Sequence, residues 1–512
     1  MDRIETLNIV CDGGLDVVSD LLNQGTALAG TARRLVNYVP ADKVGYKRVL
    51  GYAKYSETQV PGTVGEPITG VHPCFSGSIA VRKLVNDNIV YYGVGTTWTK
   101  ISTVARNGAV TKARISVYNL VQETAIITDG VNPALKYDGS SDTLINGTGT
   151  PTNPKYSALH LSRLVLSGYG NESAISISAP NADTDFTAGA GAIEINVGDT
   201  VVGLQSFRDT LYIFCKNSIK KLGGTSSADF IMRDVTSKIG CIEADTIQEI
   251  AGDVIFLAPD GMRSLAATER IGDIELGLQS NKIKPLVLEA IAGAPAVYAS
   301  CVVSAKSEYR MFYHTADIDD SSQQGFIGKV RPTQDNEQYQ WCETLGFPVY
   351  CSASRIINDT ELTVFGHPDN GYVYRMEVGG NLDGAAIPFV YKTPPLIFND
   401  ANLRKVIHRL RSVIRTEQNT NLTVRVILDE YYNEDIQPAA KSIVVQGDAA
   451  AFDAASSTFG SIVFAGNAEP FVTGTRLEGS GYTVTLEFTG INTDLPHQID
   501  NLILEFTTKG RR

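Results

Sequence analysis

Apolar and polar residues alternate with a period of two along most of the chain, and turn-forming residues interrupt the alternation at recurring intervals. The clearest unit is Arg355–Met376. Within it, Leu362–Phe365 is rich in strand formers and Asn370-Gly371 supplies the positive φ values of a tight turn. Tyr372, Tyr374 and Met376 then alternate with Val373 and Arg375 on a return strand. This spacing predicts a β-hairpin. Comparable units start near Val85, Val121, Leu161, Ser206, Ala251, Ser304 and Ile357, about 36 to 53 residues apart. A strand-rich period of that size suits four-stranded propeller blades, each hairpin giving two inner strands and the intervening residues the outer ones. The expectation is an all-β chain with a β-propeller of six or seven blades over residues 61–384. Closure of one blade by strands from both ends is an option. Stacked hairpins in a sandwich or solenoid are the alternative.

The flanks read differently. In residues 1–60, Ala32–Pro40 reads as a strand ended by Pro40, and Gly45 and Gly51 bracket a second short strand. After Gly384, long alternating runs at Leu422–Leu428, Tyr482–Phe488 and Leu502–Phe506 predict a β-sandwich over residues 385–512. The segment Leu403–Arg415 has helical spacing, but Val406, Ile407, Val413 and Ile414 are β-branched, which favours a strand. A propeller's first and last blades are neighbours, so residues 1–60 are expected to pack with 385–512 in one platform.

Composition narrows the function classes. The 512 residues carry 44 Lys+Arg against 56 Asp+Glu, a net charge of −12. Phosphate affinity rests on Lys and Arg, so an acidic chain is a poor general nucleic-acid binder, although DNA could slide past it without sticking. Seven cysteines, at 11, 74, 215, 241, 301, 342 and 351, form no CxxC, and several sit in apolar strands, as buried free thiols do. The first residues lack the basic and long apolar regions of a signal peptide. No apolar run approaches the roughly 20 residues of a membrane span. Synthesis and assembly in a reducing cytosol are expected.

Enzyme signatures are missing: the chain has no phosphate loop, HExxH, GxSxG or EF-hand pattern. The histidines at 72, 160, 314, 367, 408 and 497 lack ligand spacing, and His367, before Pro368, reads as a surface turn residue. Asp317-Ile318-Asp319-Asp320 reads as a solvated loop rather than a calcium site. No cofactor or metal is expected. Carboxylate pairs of the glycosidase kind are spatial and stay open, though Asp-box turns are absent. Positive charge concentrates at Arg404, Lys405, His408, Arg409, Arg411 and Arg415, which reads as a solvated strand face, a contact to an acidic partner or a phosphate contact. Trp98 and Trp341 are expected to pack between blades.

The order of segments resembles the tail nozzle (tail tubular B-type) proteins of short-tailed bacteriophages. The likeness is carried by Gly14-Leu15-Asp16, Leu35-Val36-Asn37-Tyr38-Val39-Pro40 and Gly45-Tyr46-Lys47-Arg48-Val49-Leu50-Gly51-Tyr52, similar to a G-x-x-R-x-x-G-Y opening. Further stretches are Phe256–Leu265, Gly366–Tyr374 and Thr393-Pro394-Pro395. The resemblance implies a structural virion protein without catalytic residues, made in the host cytoplasm. Its homo-hexameric ring would sit below the adaptor, with tail fibres as possible neighbours, and enclose the channel through which DNA leaves without specific binding. Lys47, Arg48, Arg404, Lys405, Arg409, Arg411 and Arg415 are then the expected partner-binding residues. Two rival readings stay open: a carbohydrate-binding or glycan-cleaving propeller, which requires aromatic and carboxylate residues converging at one mouth of the channel, and a cellular scaffold propeller.

Overall fold

Residues 4–25, 28–85, 87–101, 106–108, 110–120, 122–265, 277–314, 324–331, 339–398, 400, 402–429, 437–445 and 471–511 are described by the structure, a computed structural model. The loop 317–320 lies outside them.

Seven blades are arranged in sequence order. Their innermost strands are Ile68–Cys74, Arg114–Asn119, Tyr156–His160, Val201–Phe207, Gln248–Ile250, Val297–Val303 and Cys351–Ile357. Successive innermost strands are neighbours around the axis, and the last packs against the first, which closes the ring. Most blades are four-stranded antiparallel meanders, and the fifth has three described strands. The seventh is completed by Tyr52–Lys54, which pairs antiparallel with Val373–Met376. Residues 52–54, read from sequence with the N-terminal segment, therefore belong to the propeller.

The hairpin at residues 355–376 starts earlier than its sequence shows. Cys351–Ile357 pairs with Thr360–Gly366 through a turn at Asn358 and Asp359, both at positive φ, before the Asn370-Gly371 corner leads to Val373–Met376. Turns with two positive φ values recur between first and second strands at Leu161-Ser162, Arg208-Asp209 and Ala251-Gly252. These turns recur in the pattern of predicted starts. The start near Val85 instead marks the second corner of blade one, whose first is at Phe75-Ser76. That one-strand offset contributes to the uneven spacing.

Burial explains the arrangement. Separate apolar clusters fill several blade interfaces: Val81 and Val90 with Ile127 and Leu135, Leu164 and Leu166 with Ile126 and Ile145, Phe214 with Phe256. Trp98 packs beside Tyr55, its Nε1 donating to Thr58 O at 3.2 Å, where blades one and seven meet. Trp341 is fully buried and donates to Gln279 O at 2.7 Å. His367 is also buried, with Nδ1 2.7 Å from Asp369 Oδ1, which corrects its reading as a surface residue. All seven cysteines are buried free thiols.

Beside the propeller stands a two-sheet sandwich. One sheet joins Tyr38–Pro40, Tyr46–Arg48, Gln498–Arg511, Leu403–Arg415 and Phe471–Arg476 in that order, with Glu5–Val10 also on Gln498–Arg511. The other joins Arg34–Val36, Ala385–Lys392, Val484–Asn492, Thr420–Leu428 and Lys441–Val445. Leu403–Arg415 is thus a strand. Leu410, Ile414, Leu504 and Phe506 share one core with Phe389, Val424 and Phe488, and that core continues into blades five to seven.

Propeller and sandwich meet along residues 34–52. Asn37, buried and at φ 54°, donates to Leu345 O of blade six (3.0 Å) and to Pro388 O of the sandwich (2.8 Å). Its Oδ1 accepts from Thr344 Oγ1 and Leu345 N, each at 3.0 Å. Arg48, 1% exposed, donates to Asn492 Oδ1 (2.6 Å), Gly380 O (3.2 Å) and Asp494 O. At Gly51 an added Cβ would lie 1.7 Å from Asn381 O, so only glycine lets the chain cross there. Arg48→Met leaves these buried acceptors without a donor. We expect a loss of about 2–5 kcal/mol, read as a lowered urea midpoint, with a second transition if the two parts unfold separately.

Candidate functional sites at the channel and on the platform

The innermost strands of a propeller turn one side of each pleat towards the axis, so polar side chains at their starts converge on one mouth of the channel. Here Arg114, the first residue of its strand, donates through Nη2 to Glu243 Oε1 (2.7 Å) and Asp245 Oδ2 (2.9 Å), and through Nε to Asp245 Oδ1 (3.1 Å). Its Cζ lies 5.0 Å from the centre of the Tyr156 ring, a cation–π contact. Lys112 Nζ donates to Tyr298 O (2.6 Å) and Tyr350 O (2.9 Å) and stands 3.3 Å from Asp245 Oδ2. Ser300 Oγ donates to Asp245 O at 2.6 Å. Residues from blades two, three, five, six and seven thus interlock across the mouth.

Below this layer lies a cavity of about 300 Å³, faced by innermost strands of all seven blades and rich in small polar side chains such as Ser116, Ser157, Gln205 and Gln248. Above it, a recess of about 180 Å³ shares Lys112, Arg114 and Asp245 and adds Lys155, Tyr298 and Tyr350. Towards the other end of the innermost strands, Arg355 pairs with Glu123, whose Oε1 also accepts from Phe75 N (2.8 Å). Burial alone would raise the Asp245 carboxyl, yet Arg114 and Lys112 hold it below the ordinary aspartate value. Burial likewise opposes, and Phe75 N–H and Arg355 overcome it, at Glu123. Both stay ionised, which suits charge balance and not proton donation.

The sequence offered no sign of this layer, because Arg114 and Asp245 are 131 residues apart. Among the described residues no group of His, Cys, Asp or Glu is placed to hold a metal ion.

On the platform, five of the seven expected partner-binding residues, Lys47, Arg404, Arg409, Arg411 and Arg415, are exposed. The other two are corrections. Arg48 is the buried junction residue. Lys405 is fully buried, and its Nζ donates to Tyr482 O (2.9 Å) and Asp400 O (2.5 Å), with burial holding its ammonium below the ordinary lysine value. The cause is a β-bulge. His408 is the extra residue between the pairs Ile407↔Phe506 and Arg409↔Glu505, so odd-numbered side chains face inward before it and outward after it. Arg411 pairs with Glu505 (2.7 Å) and Arg415 with Asp500 (2.6 Å), so part of the positive charge is neutralised within the chain. Lys47 and Arg415 line one groove with Asp500 and Gln498, whereas Arg404 lies about 36 Å along the strand from Arg415.

No protein-family model matches the chain, and no curated protein matches it. Among solved structures, it is similar to the extracellular domain of the one-component system BT4673 from B. thetaiotaomicron, with TM-score 0.39 and 8% identity over 66% of this chain and 41% of that one. The corresponding domain described as a hybrid two-component system gives TM-score 0.39 and 8% identity over 64% and 40%. An exo-β-1,3-galactanase from Phanerochaete chrysosporium gives TM-score 0.25 and 9% identity over 90% and 100%. The chain spans about two fifths of the sensor domains. Likenesses at these scores carry no argument about function.

The interlocked mouth makes a measurable claim. Asp245→Asn leaves Arg114 and Lys112 short of a buried counter-charge and is expected to cost about 3–5 kcal/mol at neutral pH. The folded Asp245 pKa lies below its unfolded value near 3.8, so its contribution is complete above that pH and is lost as pH falls through the lower folded value. The stability gap between wild type and variant should therefore be flat from pH 7 to about 5 and narrow only in acid, as read from urea midpoints.

Proposed function

We propose that this chain is a non-catalytic structural subunit of a short-tailed bacteriophage tail, a nozzle-type protein whose hexameric ring encloses the exit path of the genome below an adaptor. One observation carries the reading: the residues of the resemblance, Asn37, Gly45, Arg48, Gly51 and Tyr52, coincide with the junction between propeller and sandwich. Gly45 sits at φ +108° with Ile499 O 2.8 Å from the place of a Cβ, and Tyr52 packs edge-on against Phe347, Phe365 and Tyr374. The motif is thereby tied to an architecture and not to surface turns. A closed ring needs two unlike patches held at a fixed angle on each subunit, and one continuous core through sandwich and blades supports such rigidity. The exposed strip of Lys47, Arg409, Arg411 and Arg415 is then the face offered to an acidic adaptor.

A second reading, a carbohydrate-binding propeller, is favoured by the convergence of Tyr156, Tyr298 and Tyr350 with Glu243 and Asp245 at one mouth.

Cryo-electron microscopy of particles made from the encoding genome tests the first reading. Six copies in density below the portal are expected, and absence of the chain from purified particles overturns it. In the same system, changing Lys47, Arg409, Arg411 and Arg415 together to Glu should leave a folded protein that no longer docks. Any single reversal should have little effect, because exposed pairs contribute about 0–1 kcal/mol each. Unchanged docking and salt sensitivity of the fourfold variant would move the adaptor contact elsewhere.

A further inference from the structure

We infer that the outer face of the first sandwich sheet docks a protein surface through an apolar centre, the row of Val10, Val413 and Val472, inside a cationic rim. The partner surface is aliphatic at its centre and acidic around it. This deepens the tail reading and rests on it, the partner there being the adaptor, and it moves the centre of the contact from the arginines to the valines. Strand register places the residues. Leu410, Ser412 and Ile414 are fully buried, as are Leu502 and Leu504 on the neighbouring strand, so Arg409, Arg411 and Val413 face outward. Across the strands, one outward row runs Val10, Asn501, Val413, Val472. On one side of it lie the rows with Ile503 and Arg411 and then Arg409 and Arg476. On the other side lies the row Lys47, Gln498, Arg415. Cations therefore flank the valines on both sides, in a patch about 20 Å by 15 Å.

The solvated face of an antiparallel sheet is ordinarily polar. Here Val10 and Val472 are 46% and 56% exposed on different strands, with half-buried Val413 and Ile503 between them. A single exposed valine is ordinary, whereas a row of them ringed by arginines has the anatomy of an interface core and rim. A groove of about 710 Å³ continues the patch, lined by Val10 and Val44 with Lys47 and Arg415. Charge selects the occupant. Arg411 is engaged by Glu505 and Arg415 by Asp500, but Arg476 lies 3.9 Å from Glu478 with both largely exposed. Arg409 makes no ion pair among the described residues. The patch thus stays positive in a chain of net charge −12 and complements carboxylates. Two copies docked through this same face would set arginine against arginine, which disfavours an isologous dimer. Phosphates would match the arginines and leave the valines in water, so nucleic acid fits less well than an acidic protein surface.

The test introduces Val10→Asp with Val472→Asp, and separately the milder Val10→Ser with Val472→Ser, into the encoding genome. Docked copies per particle are counted by cryo-electron microscopy, and the purified full chains give melting temperatures and sedimentation profiles. Wild-type density should show this face covered by the adaptor. The Asp variant should lose docked copies at least tenfold and the Ser variant in part, at unchanged melting temperatures, while Arg476→Glu alone changes little. If the Asp variant melts lower, the Ser variant decides by the same count. Unchanged docking of the valine variants, with wild type in place, overturns the apolar centre and leaves the tail reading intact. A wild-type oligomer that the Asp variant dissociates makes the occupant a second copy and also overturns the proposal. Absence of the wild-type chain from purified particles overturns both the proposal and the tail reading.

Discussion

The structure depends on how one strand-like segment, residues 34–54, is held between two bodies that would otherwise be separate. Asn37 satisfies blade six and the sandwich with one side chain, and Arg48 gathers carbonyls from Gly380 and Asp494 and the side chain of Asn492. Three residues further on, Gly51 passes against Asn381, and Tyr52–Lys54 becomes the outer strand of the last blade. Buried polar groups of this kind contribute little net energy when all are satisfied, and cost much when one is removed. They therefore fix the geometry of the junction more than its strength. The strength comes from the apolar core that continues through it.

Closure of the propeller follows from the same segment. The last blade reaches four strands only through Tyr52–Lys54, which precedes the first blade in the sequence. Completion of the last blade and docking of the sandwich are thereby carried by one stretch, residues 34–54. The parallel pairing of Arg34–Val36 with Tyr339–Leu345, at Val36↔Glu343, carries blade six directly into the second sandwich sheet. A chain built this way holds its propeller and its sandwich at one angle.

The channel is organised by a different constraint. Carboxylates and cations brought to the axis by blades two and five lose their water, and they compensate by pairing with each other. The result is a charge-balanced layer across the mouth, in which Arg114 Nη1 stays buried without a hydrogen-bond partner. Asp245, held ionised by Arg114 and Lys112, is unsuited to general acid catalysis.

Local physics was enough for much of this to be legible. Period-two alternation and turn chemistry specify strands and corners, because side-chain direction in a strand is set by neighbours along the chain. The all-β class, the repeating blade and the sandwich strands after Gly384 followed from that alone. Blade count did not, because one hairpin was counted a strand late and the last blade borrows a strand about 300 residues distant. The face of each charge on Leu403–Arg415 did not either. The bulge at His408 exists only through pairing with Gln498–Arg511, and it turned Lys405 inward while leaving Arg409 and Arg411 outside. Arg48, polar in sequence, was buried because acceptors from distant segments satisfied it, and His367 because its own turn did, through Asp369 and Asn370. The layer of Arg114, Glu243 and Asp245 was decided by tertiary structure entirely, since ring closure, and no property of the separate segments, makes these residues neighbours.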